Sequence, residues 1–150
     1  MKKYEMTSDK LILGDHTLSR VRALLTFGKV TEGDVGGYIE SENNLSHHGL
    51  CWILDDAKVY GNAIVQGNAE VYDDAEVYDD AIVQDNASIC RKARIYDTAF
   101  VQGEAFIGDR SRIFGYAVIE GNASIHDANV SGGVVSGDTT ISGYNQRDDF

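Results

Sequence analysis

The chain reads Ala57-Lys58-Val59-Tyr60-Gly61-Asn62, then Ala63-Ile64-Val65-Gln66-Gly67-Asn68, then Ala69-Glu70-Val71-Tyr72-Asp73-Asp74. The first four residues of each six alternate in and out, which is the period of a strand. From Ala57 to Asn122 the first slot is alanine in every unit except the one opened by Ser111, and the third is always valine or isoleucine. Small and branched side chains on one face fit a narrow, tightly stacked interior. The last two slots hold Gly-Asn, Asp-Asp, Asp-Asn or similar pairs, the residues that best tolerate a left-handed corner. Four strand residues and a corner cannot make an α-helix with this inward set. Corners that recur after every short strand leave no hairpin signature either. A coil that closes after several units and stacks on the next satisfies both backbone and core.

The number of units per coil follows from the outward residue after the core aliphatic. One series reads Tyr60, Tyr78, Tyr96, Phe114, and the next reads Gln66, Gln84, Gln102, Glu120, each step being 18 residues. Spacings of 6 or 12 would not sort these types, so three units make a coil. The expected fold is an all-β, single-stranded β-helix, a triangular solenoid with rungs about 4.8 Å apart. Working outward, Cys51-Trp52-Ile53-Leu54-Asp55-Asp56 opens the register with Cys51 in the alanine slot. Beyond Asn122 two five-residue steps, 123–127 and 128–132, precede Gly133–Asp138 and Thr139–Tyr144.

Three segments are therefore expected: a β-rich cap over residues 1–50, the solenoid over 51–144 and a polar tail over 145–150. In the first, Thr17–Leu24 alternates like a strand, and Gly33–Glu40 is a glycine-rich turn entering another. An open solenoid end exposes unpaired edges, so a terminal cap is physically expected. The chain has no proline and 16 glycines. Proline removes a ladder donor, so a chain that is nearly all paired strand has reason to exclude it.

The sequence has 24 acidic and 13 basic residues, a net charge of -11. This surface repels phosphate backbones and anionic lipid, which argues against ordinary nucleic-acid binding and membrane docking. No long apolar run and no signal-peptide pattern follow Met1-Lys2-Lys3. Two cysteines make no disulfide framework, and a cytoplasmic location fits best.

The slot between alanine and the core aliphatic distinguishes the three faces. On the glutamine face it runs Ile64, Ile82, Phe100, Val118, Val134; on the aromatic face Lys58, Glu76, Arg94, Arg112, Asn129; the third face is mixed. One face thus presents a contiguous apolar ridge where geometry predicts solvent, the mark of an interface. Its burial would gross on the order of 8–15 kcal/mol before association costs. The plainer alternatives are cover by the cap or tail, or strand propensity alone. Tyr60, Tyr78, Tyr96 and Phe114, with Gln66, Gln84 and Gln102 beside the ridge, form the expected ligand or partner faces. Stacked rings equally stabilise a solenoid with no ligand at all.

Of the four histidines, His47 and His48 at the cap junction are the candidate general bases. His126 shares an outward stack with Cys90 but lies two coils away, roughly 10 Å, too far for a nucleophile–base pair. Cys51 is expected inward and Cys90 outward. Asp55-Asp56 and Asp73-Asp74 stack near Arg91-Lys92 and Asp109-Arg110, which reads as charge complementation along a corner. No metal site is expected, since no calcium-loop spacing occurs. Neither a nucleophile elbow nor a phosphate or dinucleotide loop is present.

The repeat resembles that of the left-handed β-helix superfamily with hexapeptide repeats, which includes many trimeric acyltransferases. More narrowly, Gly33-Asp34-Val35-Gly36-Gly37-Tyr38-Ile39-Glu40-Ser41, Asn44-Leu45-Ser46, Cys51-Trp52 and Ala57–Ala63 are similar to YdcK-like proteins of bacteria and phages. The resemblance implies left-handed coils and a trimer. A transferase label reaches this family by fold analogy, a weak warrant. No loop interrupts the coils from Cys51 to Asn122. The leading expectation is therefore a non-enzymatic binding or assembly module without a cofactor. It would be a homo-oligomer, or, in a phage setting, bind a host protein or a small signalling molecule. The alternative is an acyltransferase using acetyl-CoA at a cleft between subunits.

Overall fold

The computed structural model describes residues 2–143; Tyr144 and the polar tail lie outside them. The chain is an all-β solenoid of three parallel sheets, with no α-helix among the described residues. The aromatic face stacks β5 (Lys58–Val59), β8 (Glu76–Val77), β11 (Arg94–Ile95), β14 (Arg112–Ile113) and β17 (Asn129–Val130). The glutamine face stacks β6 (Ile64–Val65), β9 (Ile82–Val83), β12 (Phe100–Val101), β15 (Val118–Ile119) and β18 (Val134–Val135). The third face stacks β4 (Trp52–Ile53), β7 (Glu70–Val71), β10 (Ser88–Ile89), β13 (Phe106–Gly108), β16 (Ser124–His126) and β19 (Thr140–Ser142).

Each coil hydrogen-bonds to the next through its backbone, as in Tyr60 N–H to Val77 O at 3.0 Å and Tyr78 N–H to Ile95 O at 2.9 Å. The alanines and aliphatics of the inward slots are buried along the whole stack. The two short steps shift the register but keep the faces aligned: Arg112 pairs with Asn129 and Val118 with Val134.

Residues before Cys51 form β1 (Tyr4–Leu13) and β2 (His16–Ala23), an antiparallel pair, and β3 (Val35–Ile39) beside β2. The other edge of β3 pairs in parallel with β5, through Tyr38–Lys58 and Ile39–Val59. Leu45 bridges Val65 on the glutamine face. Parallel stacking thus begins before Cys51, with a first coil built from β3, Leu45 and β4. This coil lacks the alanine signature because its backbone runs too close to its neighbours. A Cβ at Gly36 would lie 2.4 Å from Ile53 O, and one at Gly37 2.5 Å from Ala57 O. Arg20 ties β2 to the first corner, donating to Asp55 O at 2.9 Å and pairing with Asp56 at 2.6 Å.

The corners depart from expectation in one respect. Asp55, Asp73, Asp79, Asp85 and Asp97 adopt positive φ of 55–58°. Each also sends a carboxylate oxygen to the corner N–H of the following coil, for example Asp79 to Asp97 at 3.2 Å and Asp97 to Gly115 at 2.9 Å. Along the first corner Arg91 and Lys92 form no ion pair, and Arg110 pairs with Asp127 at 3.9 Å. The carboxylates accept N–H groups that the turning backbone leaves outside the ladder.

Candidate functional site

The ridge residues occupy one column. Ile64 pairs with Ile82, Ile82 with Phe100, Phe100 with Val118 and Val118 with Val134 across consecutive strands. Four rung spacings make this column about 19 Å long. The first four side chains are half-buried by their neighbours, and Val134 is 63% exposed. Strands β1–β3 continue the aromatic-face sheet and leave the ridge open.

Gln66, Gln84 and Gln102 flank the ridge. Gln66 Nε2 donates to Gln84 Oε1 at 2.8 Å, Gln84 to Gln102 at 3.0 Å, and Gln102 to the Glu120 carboxylate at 2.9 Å. The amide ladder runs in one direction and ends on an anion, the strongest acceptor available. These amides are spent on one another, leaving the apolar column as the free part of the face.

On the neighbouring face Tyr60, Tyr78, Tyr96 and Phe114 stack with centroids 5.1, 5.1 and 5.2 Å apart and planes within 5°. No planar molecule enters gaps of that size. Tyr60 is itself buried and donates to Glu76 at 3.1 Å. Burial, with Glu76 beside it, pushes its phenol well above the usual range.

His47 is built into the junction between the N-terminal strands and the first coil. Its ring stacks on Tyr4 at 4.1 Å, its Nδ1 accepts from the Lys3 N–H at 3.1 Å, and its Nε2 faces Glu42 Oε1 at 2.7 Å. With Nδ1 accepting from the backbone, the tautomer that fits both contacts carries its proton on Nε2 and donates to Glu42. Both nitrogens are engaged. His48 is exposed, and its ring has no partner. His16 pairs with Glu40 at 3.0 Å and His126 with Asp109 at 3.3 Å.

Both cysteines are free and buried. Cys51 points inward, and burial raises its thiol. The ammonium of Lys3 lies over it, donating to Cys51 O at 2.7 Å and Sγ at 3.4 Å; burial lowers that lysine from its ordinary value. Cys90, expected outward, is 2% exposed. Gly108 stands beside it in the next coil, where an added Cβ would lie 3.6 Å from the Cys90 sulfur. Burial first, and the neighbouring Cys90 second, push the Tyr72 phenol up to about 12. Among the described residues no group of three or more histidine, cysteine or carboxylate side chains converges on a metal position. No helix there is long and apolar enough to cross a membrane.

The family model described as the YdcK beta solenoid repeat matches residues 57–73, about one turn of the stack. The chain is also similar to the uncharacterized acetyltransferase YdcK of Escherichia coli (strain K12), 31% identical over 80 residues. That match takes in 47% of this chain and 24% of the relative, so the chain spans about a quarter of the protein it resembles. Fold and repeat together are those of a β-solenoid carrying a YdcK-type repeat.

Proposed function

We propose that this chain is a non-enzymatic assembly and binding module, a rigid solenoid that associates as a homotrimer through the Ile64–Ile82–Phe100–Val118–Val134 column. The observation that supports it is the unbroken apolar column on a face that no other described element covers. The aromatic face carries Lys58, Glu76, Arg94 and Arg112 in the same slot. Three flat-sided prisms, each turning one face to a common axis, bury the column and close without leaving a free edge. Superfamily resemblance favours the same number. Two buried free thiols support the cytoplasmic location. The test is sedimentation velocity on Ile82→Lys and Val118→Lys: both sediment as monomers with unchanged far-ultraviolet circular dichroism. Two variants that stay trimeric contradict the reading.

The second reading is acyl transfer from acetyl-CoA at clefts between the subunits, favoured by the similarity to a protein named an acetyltransferase. Of the two candidate bases, His48 is the one with a free ring. Stabilisation of the trimer by millimolar acetyl-CoA, and loss of transfer in His48→Ala, support this reading. No thermal shift with the donor argues against it. A host protein or a small signalling molecule is the partner class for the same face in a chain that proves monomeric.

A further inference from the structure

The segment between β2 and β3 stands away from the third face and leaves a cleft of about 460 Å³ beside Trp52. That volume lies within the range of small-molecule sites, about 300–1,000 Å³. Part of its wall is apolar. Val35 and Leu50, two of the few large apolar side chains exposed on the molecule, both line it, at 59% and 49% exposure. Val30, Leu54 and Trp52 complete the apolar lining. The other two large grooves run along solenoid corners and are lined mainly by charged and small polar residues.

The carboxylate of Glu70 lies in this cleft with no hydrogen bond and no ion pair. The corresponding position on the aromatic face is treated quite differently. There Glu76 pairs across strands with Lys58 on one side and Arg94 on the other. Glu70 instead has Trp52 and Ser88 as its rung neighbours, neither of which carries a compensating charge. Its carboxylate is therefore half-buried and without a cationic neighbour on either rung.

The other polar side chains of the cleft are each at least partly engaged by the fold. Asp34 accepts from the Thr31 N–H at 2.9 Å and Asp55 from the Asp73 N–H at 3.0 Å. Asn68 accepts from the Leu50 N–H at 3.1 Å and donates to Asn86. Lys29 sits exposed on the lip and pairs with none of the three carboxylates. Three carboxylates against one cation in the lining give the cleft a negative field, and Glu70 is the one of the three with neither oxygen engaged.

We propose that this cleft binds a small organic amine, its protonated nitrogen on Glu70 and its apolar body against Val35, Leu50 and Leu54. The site lies on the third face, apart from the ridge, so it stands whether or not the chain assembles. Trp52 is the sole tryptophan and lies in the cleft wall, so its fluorescence reports occupancy. The probes are phenethylamine and hexylamine, with 2-phenylethanol and 3-phenylpropionate as neutral and anionic counterparts. The expected result is a saturable change with either amine in the millimolar range or below. Binding weakens about tenfold or more in Glu70→Gln, as a lost charge-assisted contact requires. The alcohol binds correspondingly less tightly and the acid not at all. Leu50→Ser, at an exposed position, weakens the amines while leaving the melting curve in place. The proposal is overturned if neither amine gives a saturable signal, if Glu70→Gln binds as tightly as wild type, or if the acid binds as well as the amine.

Discussion

His47 Nε2 lies 2.7 Å from Glu42 Oε1 while its other ring nitrogen accepts the Lys3 N–H. An imidazole held at both nitrogens and stacked on Tyr4 joins the N-terminal strand to the first coil; it has no lone pair left for a substrate. His47→Gln is expected to destabilise the chain by about 1–2 kcal/mol in denaturant unfolding, since neither contact is remade in the same geometry. Its effect on acetyl-CoA binding is expected to be nil. A variant of unchanged stability would show that the ring is not a strut.

The same junction titrates. Lys2, then His47, hold the Glu42 carboxyl below its ordinary 4.5. Burial raises Glu40, but the Gly61 N–H and His16 outweigh it, and the net direction is also down. The unfolded chain therefore binds these protons more readily than the folded one. Their contribution is complete above about pH 4.5 and is lost as pH falls through the lower folded values. The melting temperature of wild type is expected to fall more steeply below pH 4.5 than that of Glu42→Gln. Parallel curves would remove the junction from the acid response.

Breaking the amide ladder in its middle orphans groups on both sides. Gln84→Ala takes the acceptor from Gln66 and the donor from Gln102, and is expected to cost about 1–2 kcal/mol. A change at the level of an ordinary surface substitution would mean that water replaces both bonds without loss.

Much of this molecule is legible in its repeat, because every slot has a local reason. Alanine fits the narrow interior, a branched residue fills it, and the corner takes glycine or aspartate. The 18-residue test found the ring and amide ladders and the column from Ile64 to Val134, since stacking turns sequence spacing directly into neighbours. The first coil is hidden in the sequence because Gly37 stands in the slot that Ala57 fills one coil later. The second role of the corner aspartates depends on where the next coil's N–H points. His47 was open to reading as a base because its partner Lys3 is 44 residues away. Cys90 is buried beside Gly108 of the next coil, which alternation does not reveal. Glu70 looked like any outward charge until its rung neighbours could be compared with those of Glu76.

Ring stacking can be separated from mere exposure of aromatic surface. Tyr78 stacks on two rings, whereas Tyr116 is 83% exposed. Tyr78→Ala is expected to cost about 1–3 kcal/mol, the sum of two aromatic contacts, and Tyr116→Ala less than about 0.5 kcal/mol. Equal losses would deny the ladder any special role.

The central claim is that the open apolar column joins subunits, and the most direct test is absolute mass. Light scattering on a sizing column should give three times the chain mass for wild type and the single-chain mass for Phe100→Asp, a charge placed between Ile82 and Val118. A wild-type monomer, or a Phe100→Asp variant that stays trimeric, would contradict it.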